Sequence, residues 1–336
     1  MTERAYAVNQ AAGRVQVREY EPTPPGPLEV DIAVTHCGVC STDVGMIDDH
    51  YGISRFPVVA GHEAVGVVRA LGDAVPPSLL ALGQRVGIGA RAGSCFTCEW
   101  CLSGRQHLCP HSDETVFRGD GGGFATRLRA GDWRHVYPIL DVIASEQAGP
   151  LLCAGATVFA AIVRHGIRAT DRVAVVGVGG LGHLAVQFLA AWGCHVTAVS
   201  RTAAKADDSR VFGAHAFIDS DTGLEGAAAS FDFILATASG DLPWDAYFKT
   251  LRPQGTLCTV GVPDGSFTVH PLSLLIGEKK LAAGVTGPIS ETRQMLDFAA
   301  RHDIRPVIEK FPVARIDEAL DHVRQGRAHY RAVLEM

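Results

Sequence analysis

Apolar and polar residues follow two different rhythms along this chain, and the change comes near residue 150. Upstream, runs such as LEVDIAVTHCG and AVGVVRALG are rich in β-branched residues, with Pro and Gly between them, and they predict short strands. Pro22, Pro24, Pro25 and Pro27 form a stiff loop leading straight into the first of these runs. Downstream, strands and helices alternate: RVAVVG, a helix over 181–192, HVTAVS, a helix from about 203, then HAFID, FDFILAT and GTLCTVG. That alternation predicts a parallel sheet covered by helices on both faces. After about residue 288 come a helix (ETRQMLDFAARHD), the segment IRPVIEKFPV, a second helix (IDEALDHVRQG) and a closing strand, YRAVLEM. This tail reads as the chain returning to its first domain.

At 336 residues the chain exceeds one ordinary core, and its length suggests about two domains. With 47% hydrophobic and 20% charged residues it is a packed globular protein, not a disordered one. Its net charge of -6, with no cluster of Lys and Arg, argues against nucleic acid or an anionic membrane as a partner. The polar start MTERAYAVNQAAGRV has no signal-peptide core, so a cytoplasmic protein is expected, and nine cysteines there point to metal before disulfides. The uncharged span Val173 to Cys194 has the length of a membrane helix. Gly177, Gly179, Gly180, Gly182 and Gly193 break it, with His183 and Gln187, into a buried strand and a helix.

Cys95, Cys98, Cys101 and Cys109 lie on one short loop, GSCFTCEWCLSGRQHLCP. Four thiolates turned onto one point form the tetrahedron of a closed structural zinc site. A disulfide loop and an iron–sulfur cluster use similar spacings; the long last gap and the lack of a Cys-Pro partner elsewhere favour zinc. Gly177-Val178-Gly179-Gly180-Leu181-Gly182 fits G-x-G-x-x-G between a predicted strand and a predicted helix, the context of a dinucleotide site. The strand after it ends in Ser200, followed by Arg201 and Lys205, where an NAD site carries an acid for the ribose. A hydroxyl and two cations suit a 2'-phosphate, so NADP(H) is expected over NAD(H).

Cys40 in HCGVCSTD, His62 in AGHEAVG and Cys153 in PLLCAGAT are further candidate ligands that spacing alone does not connect. Taken in order with the four-cysteine loop and GVGGLG, these segments resemble the zinc-dependent medium-chain alcohol dehydrogenases over nearly the whole chain. KADDSRVFGAHAFID, QMLDFAARHDIRP and YRAVLEM resemble the cinnamyl alcohol dehydrogenase branch of that family. The resemblance implies a GroES-like catalytic domain from residues 1–148 and 289–336 and a Rossmann domain from 149–288. It implies two zinc ions: a catalytic one on Cys40, His62 and Cys153, which leave a position open, and a structural one on the four-cysteine loop. It also implies Glu63 as a transient extra ligand, Asp43 as the carboxylate orienting His62, and Thr42 as the hydroxyl on the substrate oxygen. Thr157 and the backbone of Val260 and Val262 are implied on the nicotinamide side.

The implied activity is reversible hydride transfer between NADP(H) and an alcohol or aldehyde held at zinc. A homodimer or homotetramer is implied, paired through edge strands near 255–285. The chain departs from the pattern at Gly45, where similar enzymes carry the His that ends a proton relay. That leaves direct transfer from Thr42 to solvent, a substitute His50, or a different substrate: an iminium or conjugated C=C bond. A non-catalytic NADPH-binding sensor is the alternative of another class. Cys37, Cys194 and Cys258 match no ligand position and read as packing residues.

Overall fold

The computed structural model describes residues 2–117, 119–263 and 265–336, and in it the chain divides into two units. One comprises Met1–Cys153, Gly287–Ala300 and Pro306–Met336; the other comprises Ala154–Thr286 and Arg301–Arg305.

In the second unit, six strands form one parallel sheet. Their spatial order is Ala216–Asp219, His195–Ser200, Arg172–Val176, Phe231–Ala236, Leu251–Thr259 and Lys280–Ala283. In chain order this is third, second, first, fourth, fifth, sixth, the doubly wound arrangement of a Rossmann fold. Val173, Ala174, Val175 and Val176 are all buried although their side chains alternate between faces. An unbroken apolar run of this kind is what a strand covered on both faces needs. The helix Gly182–Trp192 follows the central strand and stops where Gly193 adopts φ of 102°, a left-handed cap open to glycine. Trp244, Phe248, Leu251 and Leu257 pack with Ile234 in the core below.

In the first unit, Val30–Val39 runs between Ala64–Leu71 and the C-terminal strand Arg331–Glu335, antiparallel to both. Ile308–Pro312 and Arg85–Ile88 extend the sheet on either side. The closing strand pairs Leu334 with Cys37 and Ala332 with Val39, so the tail does return to the first domain's sheet. Ile32, Val34, Phe124, Leu128 and Leu334 lie in its core. This β-rich GroES-like unit holds both metal-type clusters.

Among the described residues, Ser145–Arg164 is the one helix long and apolar enough to cross a membrane, and most of it is buried within the protein. It is a core helix. The span Val173–Cys194 splits into strand and helix as expected.

Candidate functional site

Cys95, Cys98, Cys101 and Cys109 converge in the first unit. The short helix Glu99–Leu102 starts from Cys98 and turns Cys101 back toward Cys95, and the turn Gln106–Leu108 delivers Cys109. Sulfur separations are 3.9 Å for Cys95–Cys101, 3.9 Å for Cys98–Cys109 and 3.5 Å for Cys95–Cys109. A tetrahedron of 2.3 Å zinc–sulfur bonds has edges of about 3.8 Å, whereas a disulfide needs about 2 Å. Donor type and spacing therefore fit zinc. Backbone N–H groups of Thr97 and Cys98 pull the Cys95 thiol down to about 5, favouring the thiolate that binds metal.

The second cluster joins Cys40, His62, Glu63 and Cys153, whose ligand atoms all lie within 4.8 Å of one another. Cys40 caps the helix Ser41–Ile47, and its N–H donates to Asp43 Oδ2 at 2.9 Å. Asp43 Oδ1 accepts from the N–H of Gly61 and meets His62 Nδ1, each at 2.8 Å. One buried carboxylate thereby fixes both the helix start and the imidazole, leaving Nε2 to face the sulfurs. His62 Nε2 is 3.1 Å from Cys153 Sγ, and the Cys153 and Cys40 sulfurs are 4.0 Å apart. The neighbouring Cys153 pulls the Cys40 thiol well below the ordinary range, against the effect of burial. Cys40, His62 and Glu63 are buried, while Cys153 is partly exposed. Cys153 sits in a single π-turn, Leu151–Gly155, directly after Pro150. Such widened turns recur at functional sites. Thr42 Oγ1 lies 3.8 Å from Cys40 Sγ.

Sequence reasoning missed one partner. Arg331 of the C-terminal strand forms a buried ion pair with Glu63 Oε1, bridging 268 positions. Burial pushes the Glu63 carboxyl up, and the guanidinium offsets only part of that rise. Glu63 Oε2 is buried without a hydrogen-bond partner and occupies the space over Gly38, where a Cβ would come within 1.9 Å of it. A carboxylate left half-satisfied beside two thiols and an imidazole fits a site made for a cation.

The glycine motif lies in the second unit. Gly177 has φ of 88°, and a Cβ at Gly182 would sit 1.8 Å from the Gly177 carbonyl, so the fold itself demands glycine at both. Gly179 differs: nothing lies within 4 Å of where its Cβ would be. The fold leaves that side open, as a turn that admits a pyrophosphate must. Gly180 and Leu181 complete the turn into the helix. Ser200 ends its strand and accepts from Thr202 N–H at 3.2 Å, while Arg201 is exposed. Lys205 Nζ reaches back to the Val178 carbonyl at 2.5 Å. Thr157 is buried in Ala156–Arg164, and the Val260 N–H donates to Ala236 O at 2.9 Å. Val262 is exposed.

Residues 26–141 match the alcohol dehydrogenase GroES-like domain, and residues 180–301 match the zinc-binding dehydrogenase domain. The aldehyde reductase AdhA of Synechocystis is 43% identical over 98% of this chain and 98% of its own length. The NADP-dependent alcohol dehydrogenase C of Mycobacterium tuberculosis is 33% identical, over 100% of this chain and 99% of its own. A cinnamyl alcohol dehydrogenase from Sorghum bicolor superposes with a TM-score of 0.94 at 31% identity, covering 100% of this chain and 98% of that one. With both domains matched and both cysteine-rich clusters assembled, the chain belongs to the zinc-type medium-chain dehydrogenase/reductase family, as a zinc-binding oxidoreductase.

Proposed function

We propose that this protein is an NADP(H)-dependent alcohol dehydrogenase and aldehyde reductase of the cinnamyl alcohol dehydrogenase-like branch. The observation that carries the reading is the convergence of Cys40, Cys153 and an Asp43-oriented His62 on one point. Three protein ligands leave one position of a tetrahedron open, the condition for a catalytic rather than structural zinc. Arg331 engages Glu63 Oε1, which leaves Oε2 to act as the transient extra ligand at that position.

When bound, zinc supplies a Lewis acid that polarises the reacting oxygen, and the nicotinamide supplies or accepts hydride. The chain's own residues do the rest. Thr42, on the first turn of the helix that Cys40 caps, hydrogen-bonds the substrate oxygen and exchanges a proton with it. Asp43 keeps His62 in the required tautomer. The glycine turn from Gly177 to Gly182 takes the pyrophosphate, Thr157 and the segment Val260–Val262 border the nicotinamide, and Ser200, Arg201 and Lys205 take the 2'-phosphate. The named NADP dependence of the mycobacterial relative supports that choice, as does the lack of an acid at position 200.

Leu272, Leu275, Ile276, Leu281 and Val285 are exposed around the edge strand Lys280–Ala283, and we assign them to a homodimer contact that a tetramer would retain. Six of the nine cysteines stand in metal-type clusters, a use of thiols that suits the cytoplasm.

The test is oxidation of NADPH and of NADH over a panel of aldehydes, enals and imines. Aldehyde-dependent NADPH oxidation supports the proposal; turnover restricted to C=C or C=N substrates, or none, overturns it. Within that assay, Ser200→Asp places a carboxylate against the 2'-phosphate. Loss of a charged hydrogen bond is worth about 1.5–3 kcal/mol, so the NADPH:NADH ratio of kcat/KM is expected to fall about tenfold to a hundredfold. An unchanged ratio would remove Ser200 from the cofactor site.

A further inference from the structure

Gly45 lies inside the helix Ser41–Ile47, where glycine is less favourable than alanine by roughly 0.5–1 kcal/mol. A helical backbone does not require it. The structure shows what does: a Cβ at position 45 would lie 2.6, 2.8 and 2.9 Å from Cε2, Cζ and Oη of Tyr51. Tyr51 is half-buried against the core of the first unit, and its ring fills the space a side chain at 45 would take. His50, one of the options that the sequence leaves open, is exposed, and its ring meets the Tyr51 ring edge-on at 5.5 Å between centroids.

Thr42 and Gly45 are three residues apart on one helix, hence on the same face, with β-carbon positions about 5–6 Å apart. The Tyr51 hydroxyl is 2.9 Å from the second of these positions. That places the phenol on the Thr42 side of the helix, with water as the link between the two hydroxyls. A phenol both donates and accepts a hydrogen bond, as the lost imidazole would.

We propose that Tyr51 is the outer proton-relay residue of this protein, seated where glycine at 45 admits it. The inference rests on the alcohol–aldehyde reading above. During reduction, hydride adds to the carbonyl carbon and the substrate oxygen takes a proton from the Thr42 hydroxyl. Thr42 regains one along the path ending at the Tyr51 hydroxyl, and Tyr51 takes one from water. Each hydroxyl gives a proton as it receives another, so neither is left charged, and oxidation runs the path backward.

Tyr51→Phe keeps the ring and removes only the hydroxyl. The expected result is a fall in kcat for aldehyde reduction of about a hundredfold, with KM and NADPH binding unchanged and a larger solvent deuterium isotope effect. Thr42→Ala is expected to fall at least as far, and combining the two changes should add little. Independently of activity, Gly45→Ala should lower the unfolding midpoint in the wild type, and that loss should vanish in a Tyr51→Ala background. Wild-type kcat in Tyr51→Phe would overturn the relay while leaving the aldehyde reading intact. An absence of coupling between positions 45 and 51 would overturn the seating. Absence of turnover on any alcohol or aldehyde by the wild type would overturn both readings.

Discussion

Cys153→Ala is expected to reduce zinc from two ions per chain to one and to lower aldehyde turnover by about three to four orders of magnitude. The magnitude follows from a Lewis acid contributing several kcal/mol to the transition state, at 1.36 kcal/mol per factor of ten. Position matters as much as chemistry: Cys153 is the partly exposed member of the cluster, 3.1 Å from His62 Nε2 and 4.0 Å from the Cys40 sulfur. Alanine there leaves the Asp43–His62 hydrogen bond and the cap of the helix Ser41–Ile47 in place. The fold and the four-cysteine lobe should survive, so one zinc remains. Metal analysis with steady-state kinetics checks both halves; two zinc ions and full turnover would exclude Cys153 as a ligand.

The largest effect on stability is expected from Arg331→Ala. Arg331 is 4% exposed and its partner Glu63 is fully buried. Removing one member of a buried pair costs about 3–5 kcal/mol, because the other charge is left without compensation. At about 2–4 °C per kcal/mol for a unit of this size, the first unit's unfolding midpoint should drop by roughly 6–20 °C. The pH dependence has a definite sign. Burial already raises the Glu63 carboxyl, and without the guanidinium opposing it the folded-state value rises further above the unfolded one. Such a group binds more protons folded than unfolded, so the loss is smallest in acid and grows as pH rises through the raised folded-state value. Arg331→Met with Glu63→Gln, which removes both charges, should recover most of the midpoint in thermal unfolding. A midpoint unchanged in Arg331→Ala would show that the pair contributes nothing.

The legible parts of this protein were those written locally. The glycine motif declared itself because its three glycines fall within six residues between a strand and a helix, and the fold demands two of them, Gly177 and Gly182. The four cysteines were legible for the same reason: their whole polyhedron is contained in one loop. The other cluster was not, since its members lie 91 and 113 positions apart along the chain, and only the resemblance to a known family joined them. Arg331 stood in what read as an ordinary closing strand, and nothing near it signals a carboxylate 268 positions away. Gly45 was visible as a departure, but its reason was not. That reason depends on how the turn after Ile47 brings Tyr51 back over the helix, which no periodicity encodes. Gly149, Pro150 and Gly155 interrupt any helical pattern over this stretch, although Ser145–Pro150 is helical. In the structure the chain continues through them by widening one turn, and that turn carries Cys153.

The central claim is an incompletely coordinated zinc, and anomalous diffraction at the zinc edge from crystals of the intact protein tests it most directly. Two peaks per chain are expected, one enclosed by Cys95, Cys98, Cys101 and Cys109. The other should lie among Cys40, His62 and Cys153, with Glu63 still on Arg331 and a non-protein oxygen at the fourth vertex. No zinc at the second position, or zinc there closed off by four protein ligands, would contradict the account.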